Sequence, residues 1–251
     1  MSLSSLRGAL LTDPLIVLAT VAFGSVSLVV SFFDNTGRRQ IDVARAWAKL
    51  LLKMAGVKVT VEGLEKIDPS GSYVFTSNHV SYMDTPVVLA HIPVQFRFLA
   101  KDELFKIPFL GDHLKSAGHV PVPRGNPRAA VKTMAEAARV IRERGVSLLI
   151  FPEGGRSSEG LQEFKEGAAY IAIKAGAQVV PLAVIGTGAI VPRGSLVVKP
   201  GPVTLRVGDP VPVTGLTLHD RTQLTDHLHV AVAALLETTP VIETFADKPV
   251  R

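Results

Sequence analysis

Apolar runs without alternation recur along this chain from Val57 onward, and they limit its fold more than any other feature. Ser147-Leu148-Leu149-Ile150-Phe151 and the stretch from Val179 to Ile185 put apolar side chains on both faces of an extended strand. Such strands must be covered on both sides. That is the setting of a parallel sheet between helices, not of an antiparallel sheet with one face in water. Strands are expected over 57–62, 73–77, 95–100, 119–122, 146–151, 179–185, 195–199 and 203–207. Between them, Asn126 and Pro127 form a start signal for a helix over 127–144 that Gly145 ends, with Val131, Met134, Ala138 and Ile141 as its apolar stripe. Shorter helical patterns cover 167–175, closed by Gly176, and about 218–237. The alternation predicts an α/β fold with a mostly parallel central sheet flanked by helices. Functional residues are then expected on loops at the carboxyl ends of the strands.

The N-terminus does not fit that pattern. Residues 14–33 carry no charge, and roughly 20 such residues are what a helix needs to cross a bilayer core. Arg38-Arg39 follow, then a helical stripe of Ile41, Ala44, Trp47 or Ala48, Leu51 and Leu52, with Arg45, Lys49 and Lys53 on another face. The reading is an N-terminal membrane-associated helical segment over 1–56 and a catalytic domain over 57–251. A single spanning helix and a hairpin dipping into one leaflet both fit. Positive charge is denser after the apolar run, which places the main domain on the cytoplasmic face of the inner (plasma) membrane.

Composition narrows the chemistry. With no cysteine, disulfides, thiolate zinc sites, iron–sulfur clusters and cysteine nucleophiles are excluded. A net charge of +5 suits an anionic partner such as a phosphate substrate or a lipid surface. Lysines and arginines are scattered and no nucleic-acid-binding signature accompanies them, so no nucleic acid is expected.

Two polar constellations follow buried strands. Strand 73–77 runs into Asn78-His79-Val80-Ser81-Tyr82-Met83-Asp84, then Thr85-Pro86. His79 and Asp84 are five apart, about 140° around a regular helix, so they meet only if His79 sits in a turn before a helix that starts near Asp84. A carboxylate bonded to one imidazole nitrogen frees the other as a base. Taken alone, a His and an Asp at this spacing are more often structural, with Asp84 serving only to cap a helix. The second constellation is Phe151-Pro152-Glu153-Gly154-Gly155-Arg156-Ser157-Ser158, where glycines let backbone approach a ligand and Arg156 can grip a phosphate. It is also compatible with an ordinary glycine-rich turn. Arg124, behind strand 119–122, suits an anion site or a solvated surface.

Together these stretches resemble the lysophosphatidic acid acyltransferase family of glycerolipid acyltransferases. Asn78, His79 and Asp84 match its Asn-His-x-x-x-x-Asp motif, and Gly118 with Arg124 match its second motif. Phe151 to Ser157 match Phe-Pro-Glu-Gly-Thr-Arg-Ser except for Gly155 in place of threonine, and Val180-Pro181-Leu182 match the fourth. The resemblance implies the glycerolipid acyltransferase-like fold over residues 57–251. It implies that His79 takes the proton from the sn-2 hydroxyl of lysophosphatidic acid, that Asp84 orients His79, and that phosphatidic acid is the product. Arg124, Glu153 and Arg156 would hold the glycerol phosphate, with Asn78, Lys101 and Gly154 as further substrate-binding positions. The donor would be an acyl thioester of acyl carrier protein or coenzyme A, a co-substrate rather than a bound cofactor, and no metal is implied. Gly155 leaves open another acceptor, such as glycerol 3-phosphate, a lyso-aminolipid or a different lysophospholipid, and the same dyad could also hydrolyse a thioester.

Overall fold

The computed structural model describes residues 10, 12–123, 127–195 and 197–237. Among them a seven-stranded sheet runs in the order β1-β7-β6-β2-β5-β3-β4. The strands are β1 (Val57–Glu62), β2 (Val74–Ser77), β3 (Phe96–Lys101), β4 (Val120–Val122), β5 (Ser147–Ile150), β6 (Val179–Ile185) and β7 (Gly201–Val207). β6, β2, β5, β3 and β4 are parallel, and β7 turns back antiparallel on β6 with β1 alongside it. The sheet is therefore mostly parallel, as the unalternated runs require.

The helices are α1 (Asp13–Ser31), α2 (Arg38–Ala55), α3 (Asp84–His91), α4 (Leu110–Ser116), α5 (Pro127–Arg144), α6 (Gly167–Ala175), α7 (Thr187–Ile190) and α8 (Arg221–Glu237). They form a layer on each face of the sheet. Phe75, Phe96, Leu149, Val180 and Leu182 meet α2 and α3 on one side. Val74, Leu148, Ile150 and Val179 meet α5, α6 and α8 on the other. Successive residues of one strand point to opposite faces, so Val74 and Phe75 serve different cores although both are fully buried.

Three expectations change. No strand forms over 195–199 among its described residues: Lys199 N–H donates to Ile190 O and Val198 N–H to Asp13 Oδ1, while β7 begins at Gly201 and fills the place beside β6 and β1. The division at residue 56 cuts through a core, because Ile41, Ala48, Leu51, Leu52 and Ala55 of α2 are buried in the first cluster. Arg45 also leaves the basic outer row expected for it. Its guanidinium caps the carbonyls of Ile92 and Val94 behind α3, half-buried and held below its ordinary pKa by that burial.

α1 behaves differently from α2. Only 6% of its most apolar window is buried, so it is not a core helix. One face is nevertheless attached along the domain. Ser27 Oγ and His113 Nδ1 of α4 are 2.7 Å apart, Trp47 Nε1 donates to Thr20 Oγ1, and Ile16 packs against the first cluster. Leu15, Leu18, Val21, Val26 and Val29 point away from the protein.

Beneath this contact lies a buried basic cluster. Arg97 donates to Gln95 Oε1, Phe96 O and Thr36 O, tying β3 to the α1–α2 turn, and burial pulls its pKa down to about 10. His119 Nδ1 accepts the Phe98 N–H at 2.8 Å. Burial pushes both His113 and His119 below the ordinary histidine value, and Arg97 and His113 add repulsion at His119. Below about pH 6.5 the unfolded chain takes up protons that these folded imidazoles refuse, so stability is lost as pH falls through that value. Thermal unfolding should show a midpoint nearly constant above pH 7 and falling between about pH 6.5 and 5.5. A midpoint unchanged over that window contradicts the assignment.

Candidate active site

The carboxyl ends of β2, β5 and β6 meet at one place, and the site is built there from the backbone outward. After Ser77 the chain turns instead of continuing, because Asn78 makes a side-chain rung with the next strand. Its Nδ2 donates to Val184 O at 2.9 Å and its Oδ1 accepts the Val184 N–H at 2.8 Å. Both ends of the amide are thereby occupied. In this arrangement Asn78 braces the turn.

The turn brings His79 and Asp84 together, with α3 beginning at Asp84 as the spacing requires. Asp84 is fully buried. Its Oδ2 accepts from His79 Nδ1 at 2.8 Å, from Val80 N–H at 2.8 Å and from Ser81 N–H at 2.9 Å. Its Oδ1 accepts from the Thr187 hydroxyl. The helix-cap and imidazole-partner readings of Asp84 are therefore both realised, in one carboxylate. A proton on Nδ1 of the neutral ring makes this bond to the carboxylate and leaves the lone pair on Nε2, the tautomer that the geometry favours. The imidazole lies flat on Phe151, with ring centroids 3.9 Å apart and planes 14° from parallel, and its side chain remains 18% exposed.

Glu153 holds this turn from the opposite side. One oxygen accepts the His79 N–H at 2.7 Å and the other the Gln162 N–H at 3.0 Å. Burial pushes its pKa up, while the two backbone donors and His79 act against that shift. Glu153 thus grips the backbone of His79 and does not pair with Arg156. Ser157 N–H donates to His79 O at 3.0 Å, so the glycine-rich segment is sewn to the turn at both ends.

Within that segment Gly154 has φ +75°, so the left-handed conformation disfavours a side chain there, while the end of Lys165, 2.5 Å from where a Cβ would lie, could move aside. A Cβ on Gly155 would meet nothing within 4 Å, so packing does not force the missing threonine. Arg156 lies half-buried with its guanidinium carbon 3.5 Å from the centre of the Tyr82 ring. Lys101 ends β3 and is exposed. Arg124 lies outside the described residues. Behind Phe151 opens an apolar cavity of about 750 Å³, bordered by Leu99, Val131, Met134 and Phe164, with Lys165 and Arg221 among its polar borders.

Sequence reasoning assigned no role to Thr187, Phe151 or Lys165. Thr187 was findable: it follows a long apolar strand at its carboxyl end, the position that drew attention to His79. The stacking of Phe151 depends on the turn angle between β2 and α3, and the sequence carries no signal for it.

A model of the family described as Acyltransferase matches residues 58–185. A 1-acyl-sn-glycerol-3-phosphate acyltransferase of Borreliella burgdorferi is 30% identical over 198 residues, which is 78% of this chain and 79% of that protein. Another, of the plant Limnanthes alba, is 34% identical over 163 residues, 64% of this chain and 57% of its own length. The chain thus spans little more than half of that plant relative. The crystal structure of the 1-acyl-sn-glycerophosphate (LPA) acyltransferase, PlsC, from Thermotoga maritima superposes with a TM-score of 0.77 at 26% identity, covering 94% of this chain and 99% of that one.

Proposed function

We propose, because the chain belongs to the acyltransferase family, that it moves a fatty acyl group from a thioester donor to the sn-2 hydroxyl of lysophosphatidic acid and so makes phosphatidic acid. The observation that carries the reading is the His79–Asp84 bond, which leaves Nε2 free above Phe151 beside an apolar cavity. In this mechanism Nε2 accepts the proton of the acceptor hydroxyl as its oxygen bonds to the thioester carbonyl carbon. The carbon–sulfur bond of the tetrahedral intermediate then breaks, and the imidazolium returns the proton to the departing thiolate. Asp84 fixes the tautomer and stabilises the imidazolium. The acceptor's hydroxyl is the nucleophile, so no protein serine or cysteine is needed. Arg156, with Arg124 and Lys101, supplies positive charge for the acceptor phosphate, and the cavity behind Phe151 suits an acyl chain. The names borne by the relatives support this choice of acceptor. The donor is the thioester of acyl carrier protein or of coenzyme A, and the reading needs neither a metal nor a bound cofactor.

The same reading places the protein on the cytoplasmic face of the inner (plasma) membrane, with α1 lying along the lipid surface. A helix attached to α2 and α4 on one side cannot cross a bilayer without taking the domain with it, whereas its outward apolar face can enter one leaflet. Burial of apolar surface at roughly 25 cal/mol per Å² makes that face a substantial anchor. The variant Leu15→Gln/Leu18→Gln/Val26→Gln changes only outward positions. It should keep its melting temperature while most of the protein moves from the vesicle pellet to the supernatant. Unchanged pelleting rejects α1 as the anchor.

The acceptor assignment is tested with one labelled acyl thioester offered to lysophosphatidic acid, glycerol 3-phosphate and lysophosphatidylcholine in parallel. Lysophosphatidic acid should be acylated with the highest kcat/KM. Preference for lysophosphatidylcholine, which lacks a phosphate monoester, rejects the phosphate site.

A further inference from the structure

Tyr82 lies inside the Asn-His-x-x-x-x-Asp segment, yet its neighbours and it face opposite ways. Ser81 Oγ donates to Val191 O and Met83 is buried, which turns Tyr82 outward until 56% of it is exposed. A large ring this exposed contributes little to the core. What it touches is Arg156, whose guanidinium carbon lies 3.5 Å from the ring centre. Among the described residues no carboxylate pairs with Arg156. A half-buried guanidinium with an aromatic face beneath it has the charge and the geometry to receive an anion. Stacking also has a geometric consequence. It covers only the face of the guanidinium and leaves the N–H groups around its rim uncovered, and a parallel pair of them can grip two phosphate oxygens together.

We propose that Tyr82 is a positioning residue, which holds the Arg156 donor edge ready for the phosphate monoester of the acceptor. The proposal rests on the reading that this phosphate binds Arg156. Without the ring, the long arginine side chain, which follows the exposed Gly155, would have to be ordered by the substrate itself. The ring face does this work and the hydroxyl does not, so phenylalanine should replace tyrosine while leucine should not.

The test uses the full chain and steady-state kinetics with lysophosphatidic acid, comparing wild type, Tyr82→Leu, Tyr82→Phe, Arg156→Ala and the double variant Tyr82→Leu/Arg156→Ala, with melting temperatures measured alongside. Tyr82→Leu should raise the KM for acceptor by about 3- to 30-fold, leave kcat within about twofold, and leave the KM for the acyl donor and the melting temperature unchanged. Tyr82→Phe should restore the acceptor KM. In the Arg156→Ala background, Tyr82→Leu should add nothing. The proposal is overturned if Tyr82→Leu leaves the acceptor KM unchanged, if it raises that KM equally with Arg156 absent, or if phenylalanine fails to restore it. A large effect of Arg156→Ala with none of Tyr82→Leu removes only the positioning role. No effect of Arg156→Ala on acceptor KM removes the phosphate site and the positioning role together.

Discussion

Replacing His79 by alanine should lower kcat/KM for acyl transfer by about 10²–10⁴-fold or more, while the protein stays folded. The magnitude follows from what the side chain does in the proposed mechanism. A hydroxyl is a weak nucleophile until its proton is removed, and Nε2 is the free base set on the Phe151 ring. The side chain makes one hydrogen bond, to Asp84, and remains partly exposed. Its removal therefore opens little space in the core, and the melting temperature should change by only a few degrees. A folded His79→Ala protein with more than about a tenth of wild-type activity is incompatible with His79 as the general base.

Changing Asp84 should damage activity and stability together, which separates it from His79. One buried carboxylate serves His79 Nδ1, two backbone N–H groups and the Thr187 hydroxyl. In Asp84→Ala those donors lose their acceptor inside the protein, at a cost of about 3–5 kcal/mol, the range for breaking a buried charged network. For a domain of this size that corresponds to a midpoint lower by roughly 6–20 °C. Asp84→Asn is the sharper variant because the shape is kept. Its amide either keeps an oxygen toward His79, Val80 and Ser81, with the NH2 toward the Thr187 hydroxyl, or turns the NH2 toward those three donors and loses the tautomer of His79; in both cases the negative charge that stabilises the imidazolium is gone. In hydrolase triads the equivalent exchange costs on the order of 10⁴-fold in kcat, and a loss of 10³–10⁴-fold is expected here. Thermal unfolding and kinetics on the same preparations check both parts. An Asp84→Asn protein that is stable and fully active shows that the negative charge of Asp84 contributes nothing to catalysis.

How far such statements could be read from the sequence varied with the kind of interaction. The parallel sheet was legible because covering a strand on both faces demands apolar residues at consecutive positions, as in Ser147 to Phe151. The start of α3 at Asp84 was legible from Pro86 and from the requirement that His79 precede the helix. The roles of Asn78 and Glu153 were not. Each also binds backbone, which the sequence did not announce: Val184 in one case, His79 and Gln162 in the other. A sequence shows that a polar residue lies at the end of a strand, but which partner it finds depends on strand order, and β6 lies beside β2 although a hundred residues separate them. Arg45 shows the same limit at the N-terminus. Helical spacing placed it in a row with Lys49 and Lys53, and two carbonyls behind α3 drew it inward.

The central claim is that His79 activates the hydroxyl of a lysophospholipid acceptor and not a water molecule. The measurement closest to it follows a labelled acyl thioester with the wild-type protein, in the presence and absence of lysophosphatidic acid, and assays both products. The account predicts that the thioester stays intact without acceptor, and that with acceptor the label appears in phosphatidic acid at the rate at which thioester is consumed. Release of free fatty acid at the same rate with and without acceptor would contradict it.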